Sequence, residues 1–194
     1  MSMRFVVRLG LVGVTAALLM AVGASVYSDD SPTAASSAQI KRGRYLVTIG
    51  GCGDCHSPKV MTAQGPMEDE SRLLSGHPAD EPVPAMPEGV LGPGKWAAAC
   101  SGSFTAWVGP WGISFASNLS PDKTTGLGNW TDQQFIDAMR TGKHRGFGRQ
   151  ILPPMPWFNV GKLPDEDIKA ILAYFKSLPP IKNKVPDPIP PASH

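Results

Sequence analysis

The chain has 194 residues, 42% of them apolar, with 18 Lys and Arg against 16 Asp and Glu. That length allows one domain with a terminal extension and hardly two. Twenty prolines and 21 glycines, with no succession of alternating segments, argue against an extended β-sheet architecture and predict short helices joined by long ordered loops, an all-α class.

Arg4 and Arg8 precede an unbroken run of apolar and small residues from Leu9 to Tyr27. Val22-Gly23-Ala24 has the small-residue character of a signal-peptidase site. The run is also long enough to cross a bilayer as one helix. Residues 1–24 are therefore expected to be a signal peptide or an N-terminal membrane anchor. Either way the folded part lies outside the cytoplasm, in the periplasm, because both arginines stay on the near side. Removing Arg4 and Arg8 from the 18 basic residues leaves 16, equal to the 16 acidic ones. The basic balance thus belongs to the leader, and no nucleic-acid partner is expected. Residues 25–38, containing SDDSPTAASSA, read as a flexible linker, and 39–182 as the folded domain.

A first helix is predicted over about Ile40–Ile49, ended by Gly50-Gly51, with Gly43 placed to let another helix come close. Positions 52–56 then read CGDCH. A redox dithiol would follow a strand inside a βαβ unit, and none is visible; a structural zinc site needs a fourth ligand that no second Cys-x-x-Cys supplies. Haem attachment fits better. Cysteines three apart lie on one side of a helical turn, where both sulfurs can meet the edge of one macrocycle, and the histidine that follows is forced beneath the ring. Cys52 and Cys55 are the expected covalent anchors, His56 the expected iron ligand, and the single motif implies one haem.

A Pro- and Gly-rich stretch follows, about 66–115, whose role the sequence does not give. His77 and Met86 there are expected to be solvated or capping, Cys100 to be a buried free thiol, and Trp107 and Trp111 to be core. Thr131 and Gln134 form a capping-box pattern at the start of a second helix ending near Gly142, with Phe135, Ile136 and Met139 on its apolar stripe. Lys143, His144, Arg145 and Arg149 follow; Arg149, among glycines, is the expected partner of a haem propionate.

The open face of the iron needs a second ligand if the protein is to carry electrons. Met61 and Met67 follow His56 too closely, Met139 sits on a core stripe, and His194 is in the tail. Met155 stands among Pro153, Pro154 and Pro156, which preset the backbone and lower the entropic cost of holding a weak thioether ligand. It is the expected second ligand. A third helix is predicted from about Asp165 to Leu178, with Ile168, Ile171, Leu172 and Phe175 on one face and three acids in its first turn. The tail, 183–194, is proline-rich and expected to be a strap or a frayed end.

These features together resemble a class I cytochrome c domain: about three helices with long loops around one haem. More narrowly, GRYLVTIGGCGDCHSP, NLSPDKTTGLGNWTDQQF, LPPMPWF and LPDEDIKAILAYFKSLPP are similar to the cytochrome c modules of bacterial membrane-bound alcohol, gluconate and sugar dehydrogenases, over residues 39 to 60 and 112 to 185. The resemblance implies haem c on Cys52 and Cys55, axial ligands His56 and Met155, and a segment beside the haem edge containing Asn118, Pro121, Asp122, Gly126, Gly128 and Trp130. It further implies a non-enzymatic carrier of single electrons between a donor dehydrogenase and an acceptor oxidase or cytochrome. Those relatives usually carry three such modules, and Leu163-Pro164 replaces their hydroxyl cap. Two competing readings differ in class: a peroxidase-like haem enzyme with an open iron, and a haem-based sensor or assembly module.

Overall fold

A computed structural model of the chain describes residues 35–85 and 88–191. The leader, most of the linker, Met86 and His194 lie outside the described residues.

Five helices carry the body: α1 (Ser37–Ile49), α2 (Cys52–His56), α3 (Asp132–Thr141), α4 (Trp157–Val160) and α5 (Asp165–Ser177). Ser36 caps α1, its hydroxyl accepting from the Gln39 amide at 3.1 Å. At α3 the predicted capping box is present in both directions, Thr131 to the Gln134 amide and Gln134 back to the Thr131 amide, each at 3.1 Å. Pro164 stands at the N-cap of α5, one position earlier than expected, and fixes the approach without donating a hydrogen bond.

Helices α1 and α5 cross in close contact because Gly43 has no side chain. A Cβ there would overlap the Ala170 carbonyl and press on Tyr174. Buried Val47, one turn on, joins Ile168, Ile171, Leu172 and Phe175 of α5 and Phe135, Ile136 and Met139 of α3 in one core. Removing these faces from water supplies the main driving force for the body. Arg42 closes the crossing at the surface, donating from Nε and Nη2 to the two Asp167 carboxylate oxygens at 2.8 and 2.9 Å.

The all-α expectation needs correction between α2 and α3. Strands β1 (Lys59–Thr62) and β2 (Gly65–Glu68) make an antiparallel hairpin, and β3 (Ala99–Cys100), β4 (Ala106–Gly109) and β5 (Gly112–Phe115) make a three-stranded antiparallel sheet in the order β3-β4-β5. Strands of two to four residues are too short to display a period-2 pattern, so the sequence carries no clear strand signal here. The tail is a strap and not a frayed end. Ile189 exchanges both backbone hydrogen bonds with Ile113 on the free edge of β5, at 2.8 and 2.9 Å. Asn183 donates from Nδ2 to the carbonyls of Ser75 and His77, both at 2.8 Å, and accepts on Oδ1 from the Ala79 amide at 3.0 Å.

Gly43→Ala should destabilise the protein by about 1–3 kcal/mol, because the helix-propensity gain is smaller than the cost of forcing apart two packed backbones. Denaturant unfolding measures it, and an unchanged or raised midpoint would contradict the close crossing. Asn183→Ala removes three hydrogen bonds worth about 0.5–1.5 kcal/mol each, an expected loss of about 2–4 kcal/mol. Limited proteolysis should then cut the tail faster than in the unmodified chain; equal cutting rates would show that Asn183 does not hold the strap.

Candidate functional site

Helix α2 is a single turn. Gly51 enters it in the left-handed region, φ 61°, and Ser57 leaves it extended. Lys59 secures its far end, donating from Nζ to the carbonyls of Gly53 at 3.0 Å and Ser57 at 2.6 Å, which places a positive charge where the helix exposes unpaired oxygens. The turn puts Cys52 and Cys55 three positions apart, both half-buried and both free thiols. Burial pushes the Cys52 thiol up to about 11 and raises that of Cys55 as well. A redox dithiol relies on an environment that lowers such values, and this one does the opposite.

His56 follows directly. Its Nδ1 lies 2.8 Å from the Ser117 carbonyl, which can only accept, so Nδ1 carries the proton and Nε2 keeps its lone pair. Burial, more than the opposing pull of that carbonyl, lowers the pKa of the ring and keeps it neutral. The backbone is held too: the Gly76 amide donates to the His56 carbonyl at 2.8 Å. Gly76, at φ 78°, leaves no room for a Cβ against the backbone of Ala116, Ser117 and Asn118. Two segments, 75–77 and 116–118, thus press together behind the histidine. Two thiols, a neutral imidazole and a fixed free nitrogen are the donor set that a covalently attached haem requires from this side.

Met155 is half-buried and packs against the same hydrophobic core that Cys52 borders. Its loop is pinned from several directions. Trp157 of α4 lies over Gly142, the left-handed residue that ends α3, and Gly161 packs against the Met139 carbonyl. The Ile151 amide donates to the Gly142 carbonyl at 2.7 Å, and Ser114 of β5 donates to the Pro153 carbonyl at 2.6 Å. The Pro153–Pro154 peptide is cis.

Arg149 is exposed and donates to the Gln150 carbonyl at 3.3 Å; it joins none of the ion pairs among the described residues. The rest of its basic cluster is partly used by the fold. Arg145 lies over the Trp130 ring at 5.3 Å and the His144 ring meets Trp130 edge-on at 4.8 Å.

The Asn118–Trp130 segment folds on itself. The Asp122 carboxylate accepts from the hydroxyls and amides of Thr124 and Thr125 at 2.7–3.0 Å, and these bonds, those from Thr125 first, lower its pKa to about 2. Gly126 and Gly128 sit against the carbonyls of Ser120 and Pro121 with no space for a side chain. Asn118 ties this loop to the start of the tail, donating from Nδ2 to the carbonyls of Ile181 at 2.8 Å and Asn183 at 3.3 Å.

Three expectations in the 66–115 stretch are corrected. His77 is wholly buried and not solvated: Nδ1 meets the Thr105 hydroxyl at 2.8 Å, the ring packs on Phe115, and Nε2 is left without a partner. Cys100 is exposed and not buried, and with Trp107 and Val108 it lines a mainly apolar cavity of about 350 Å³. Trp107 and Trp111 are half-buried, their indole nitrogens donating to the Phe104 carbonyl and the Ser114 hydroxyl. Nothing in the residue order pointed to Ser114 or Ser117. A serine in a short strand and a backbone carbonyl carry no motif, and only the fold brings them to the methionine loop and the histidine.

No protein-family model matches the chain. It is 29% identical over 175 residues to the fructose dehydrogenase cytochrome subunit of Gluconobacter japonicus, covering 89% of this chain and 28% of that protein. To the gluconate 2-dehydrogenase cytochrome c subunit of Pantoea cypripedii it is 28% identical, covering 81% and 27%; to a diheme cytochrome c-type protein of Cereibacter sphaeroides it is 30% identical, covering 73% and 36%. The chain spans about a quarter of the length of these two dehydrogenase subunits and about a third of the diheme protein. A cytochrome c subunit of a quinone-linked alcohol dehydrogenase from Gluconobacter oxydans is 28% identical over 79% of the chain. Over most of its length, then, the chain resembles the cytochrome c subunits of fructose, gluconate and alcohol dehydrogenases.

Proposed function

We propose that this chain is a mono-haem c-type cytochrome with a class I fold, exported to the periplasm, that carries single electrons and catalyses no reaction of its own. Its donor would be a dehydrogenase, as the names of its relatives suggest, and its acceptor an oxidase or another cytochrome. The domain would run over 39–182, behind a leader that is cleaved or kept as a membrane anchor.

The observation that carries this reading is the hydrogen bond from His56 Nδ1 to the Ser117 carbonyl, on a helical turn that also carries Cys52 and Cys55. Cys52 and Cys55 would hold the haem through thioethers, and the sequence has one such motif, hence one haem. His56 would offer Nε2 to the iron, with its ring oriented and its basicity raised by the carbonyl behind it. Met155 would supply the sulfur on the opposite face, and Arg149, free of any carboxylate partner among the described residues, would face a propionate. When bound, the haem supplies the one-electron Fe(III)/Fe(II) couple. Held by His56 and Met155, that couple would have a raised potential and no position open for substrate, as a carrier needs and a peroxidase-like enzyme does not.

The test starts with the exported holoprotein. Its pigment should survive acidified acetone, and Cys52→Ser with Cys55→Ser should release it. The oxidised protein should show the weak sulfur-to-iron charge-transfer band. Met155→Ala should abolish that band, lower the reduction potential and open the iron to carbon monoxide. Unmodified protein that binds carbon monoxide as readily as Met155→Ala would remove Met155 from the iron, and colourless unmodified protein would remove the haem.

A further inference from the structure

The methionine loop has an unusual shortage of polar anchors. Pro153, Pro154 and Pro156 have no amide hydrogen to donate, and the Met155 amide turns back onto the Leu152 carbonyl at 3.3 Å. The Pro156 carbonyl accepts from Asn159 at 2.9 Å within the adjoining turn. Among the described residues, one hydrogen bond joins positions 152–156 to a distant part of the chain: the Ser114 hydroxyl donating to the Pro153 carbonyl at 2.6 Å.

That hydroxyl is well placed to do so. Ser114 is buried on β5, and its oxygen accepts from Trp111 Nε1 at 3.2 Å, which turns the hydroxyl proton outward. The competing acceptor within the sheet, the Trp107 carbonyl, is 3.5 Å away, so the single proton goes to Pro153. Three residues further along, the Ser117 carbonyl receives His56 Nδ1. Three residues span at most about 10–11 Å, so one short stretch of backbone touches the support of both proposed ligands. The stretch is itself braced. Ile113 pairs with Ile189 of the tail, the Ala116 amide donates to the Thr105 carbonyl at 2.8 Å, and the Ala116 carbonyl accepts from the His77 amide at 2.9 Å.

We infer that Ser114 is a positioning residue for Met155, and that residues 112–117, which close the 66–115 stretch and run two residues past it, form a brace tying the two proposed axial ligands to one element. The inference rests on the reading of Met155 as an iron ligand. It assigns the stretch a role in holding the iron closed: when the Ser114 hydroxyl is absent, the loop keeps its proline stiffness but loses its tie, and the sulfur leaves more often.

The experiment uses the holoprotein and five variants, Met155→Ala among them. Ser114→Ala should weaken the sulfur-to-iron band and raise the carbon monoxide association rate about 3–10-fold, the factor that corresponds to losing one ordinary hydrogen bond. Ser114→Thr and Ser114→Val have the same shape and differ by a hydroxyl against a methyl, so they give the same comparison should Ser114→Ala yield no holoprotein. Thr should behave like the unmodified protein and Val like Ala. Trp107→Phe, which removes the indole bond to the Phe104 carbonyl in the same sheet but leaves both side-chain partners of the Ser114 hydroxyl, Trp111 Nε1 and the Pro153 carbonyl, in place, should change neither readout. If the unmodified protein has the band and Met155→Ala opens the iron, yet Ser114→Ala and Ser114→Val bind carbon monoxide no faster than Ser and Thr, the inference about Ser114 is overturned and the ligand assignment stands. If Met155→Ala itself changes nothing, the ligand assignment falls and the inference falls with it.

Discussion

The hydrogen bond between His56 Nδ1 and the Ser117 carbonyl is the constraint on which the site depends. A histidine at the end of a helical turn of five residues has freedom about two side-chain torsions, and a single turn is marginal by itself. The carbonyl removes that freedom and fixes which nitrogen is protonated. Everything that steadies Ser117 therefore steadies the ring. Gly76 packs on the backbone from one side, and Asn118 is anchored in the tail from the other. The histidine is set by three stretches of chain far apart in sequence, none of which contains the motif.

Behind the site, the α1–α5 crossing does ordinary structural work. Gly43 lets two backbones meet, the apolar faces of α1, α3 and α5 close over one core, and Arg42 and Arg140 fasten the rim through Asp167 and Asp165. Such surface pairs add little to stability, and burial carries most of it. The consequence for function is rigidity. Cys52 and Met155 border this core, so the two proposed attachment regions share one solid support.

The 66–115 stretch and the tail, which in the sequence look like additions to a small domain, are integrated with it. The tail crosses from α5 to the edge of β5 and on the way clamps the carbonyls of Ser75 and His77 through Asn183. The same β5 reaches the methionine loop through Ser114. The buried His77, with one nitrogen on Thr105 and the other unpartnered, belongs to this region as well, directly beside the glycine that supports His56. The chain spans about a quarter of the length of its dehydrogenase-subunit relatives.

Helices α1, α3 and α5 were legible from residue order because their causes are local, whereas the single turn of α4 was not. Apolar positions at helical spacing, the Thr131–Gln134 capping box and the proline pair after Leu178 each act within one or two turns. The helical turn through Cys52–His56 follows from adjacency in the same way. The two small sheets were not legible, because strands of two to four residues gain their stability from pairing partners elsewhere in the chain. Tertiary structure alone decided that His77 is buried, that Cys100 faces outward, that the proline-rich end is a strap, and that a serine hydroxyl and a backbone carbonyl stand behind the methionine loop and the histidine. Those facts depend on which distant segments meet, and a hydrogen bond to a carbonyl leaves no mark on the sequence because every residue has one.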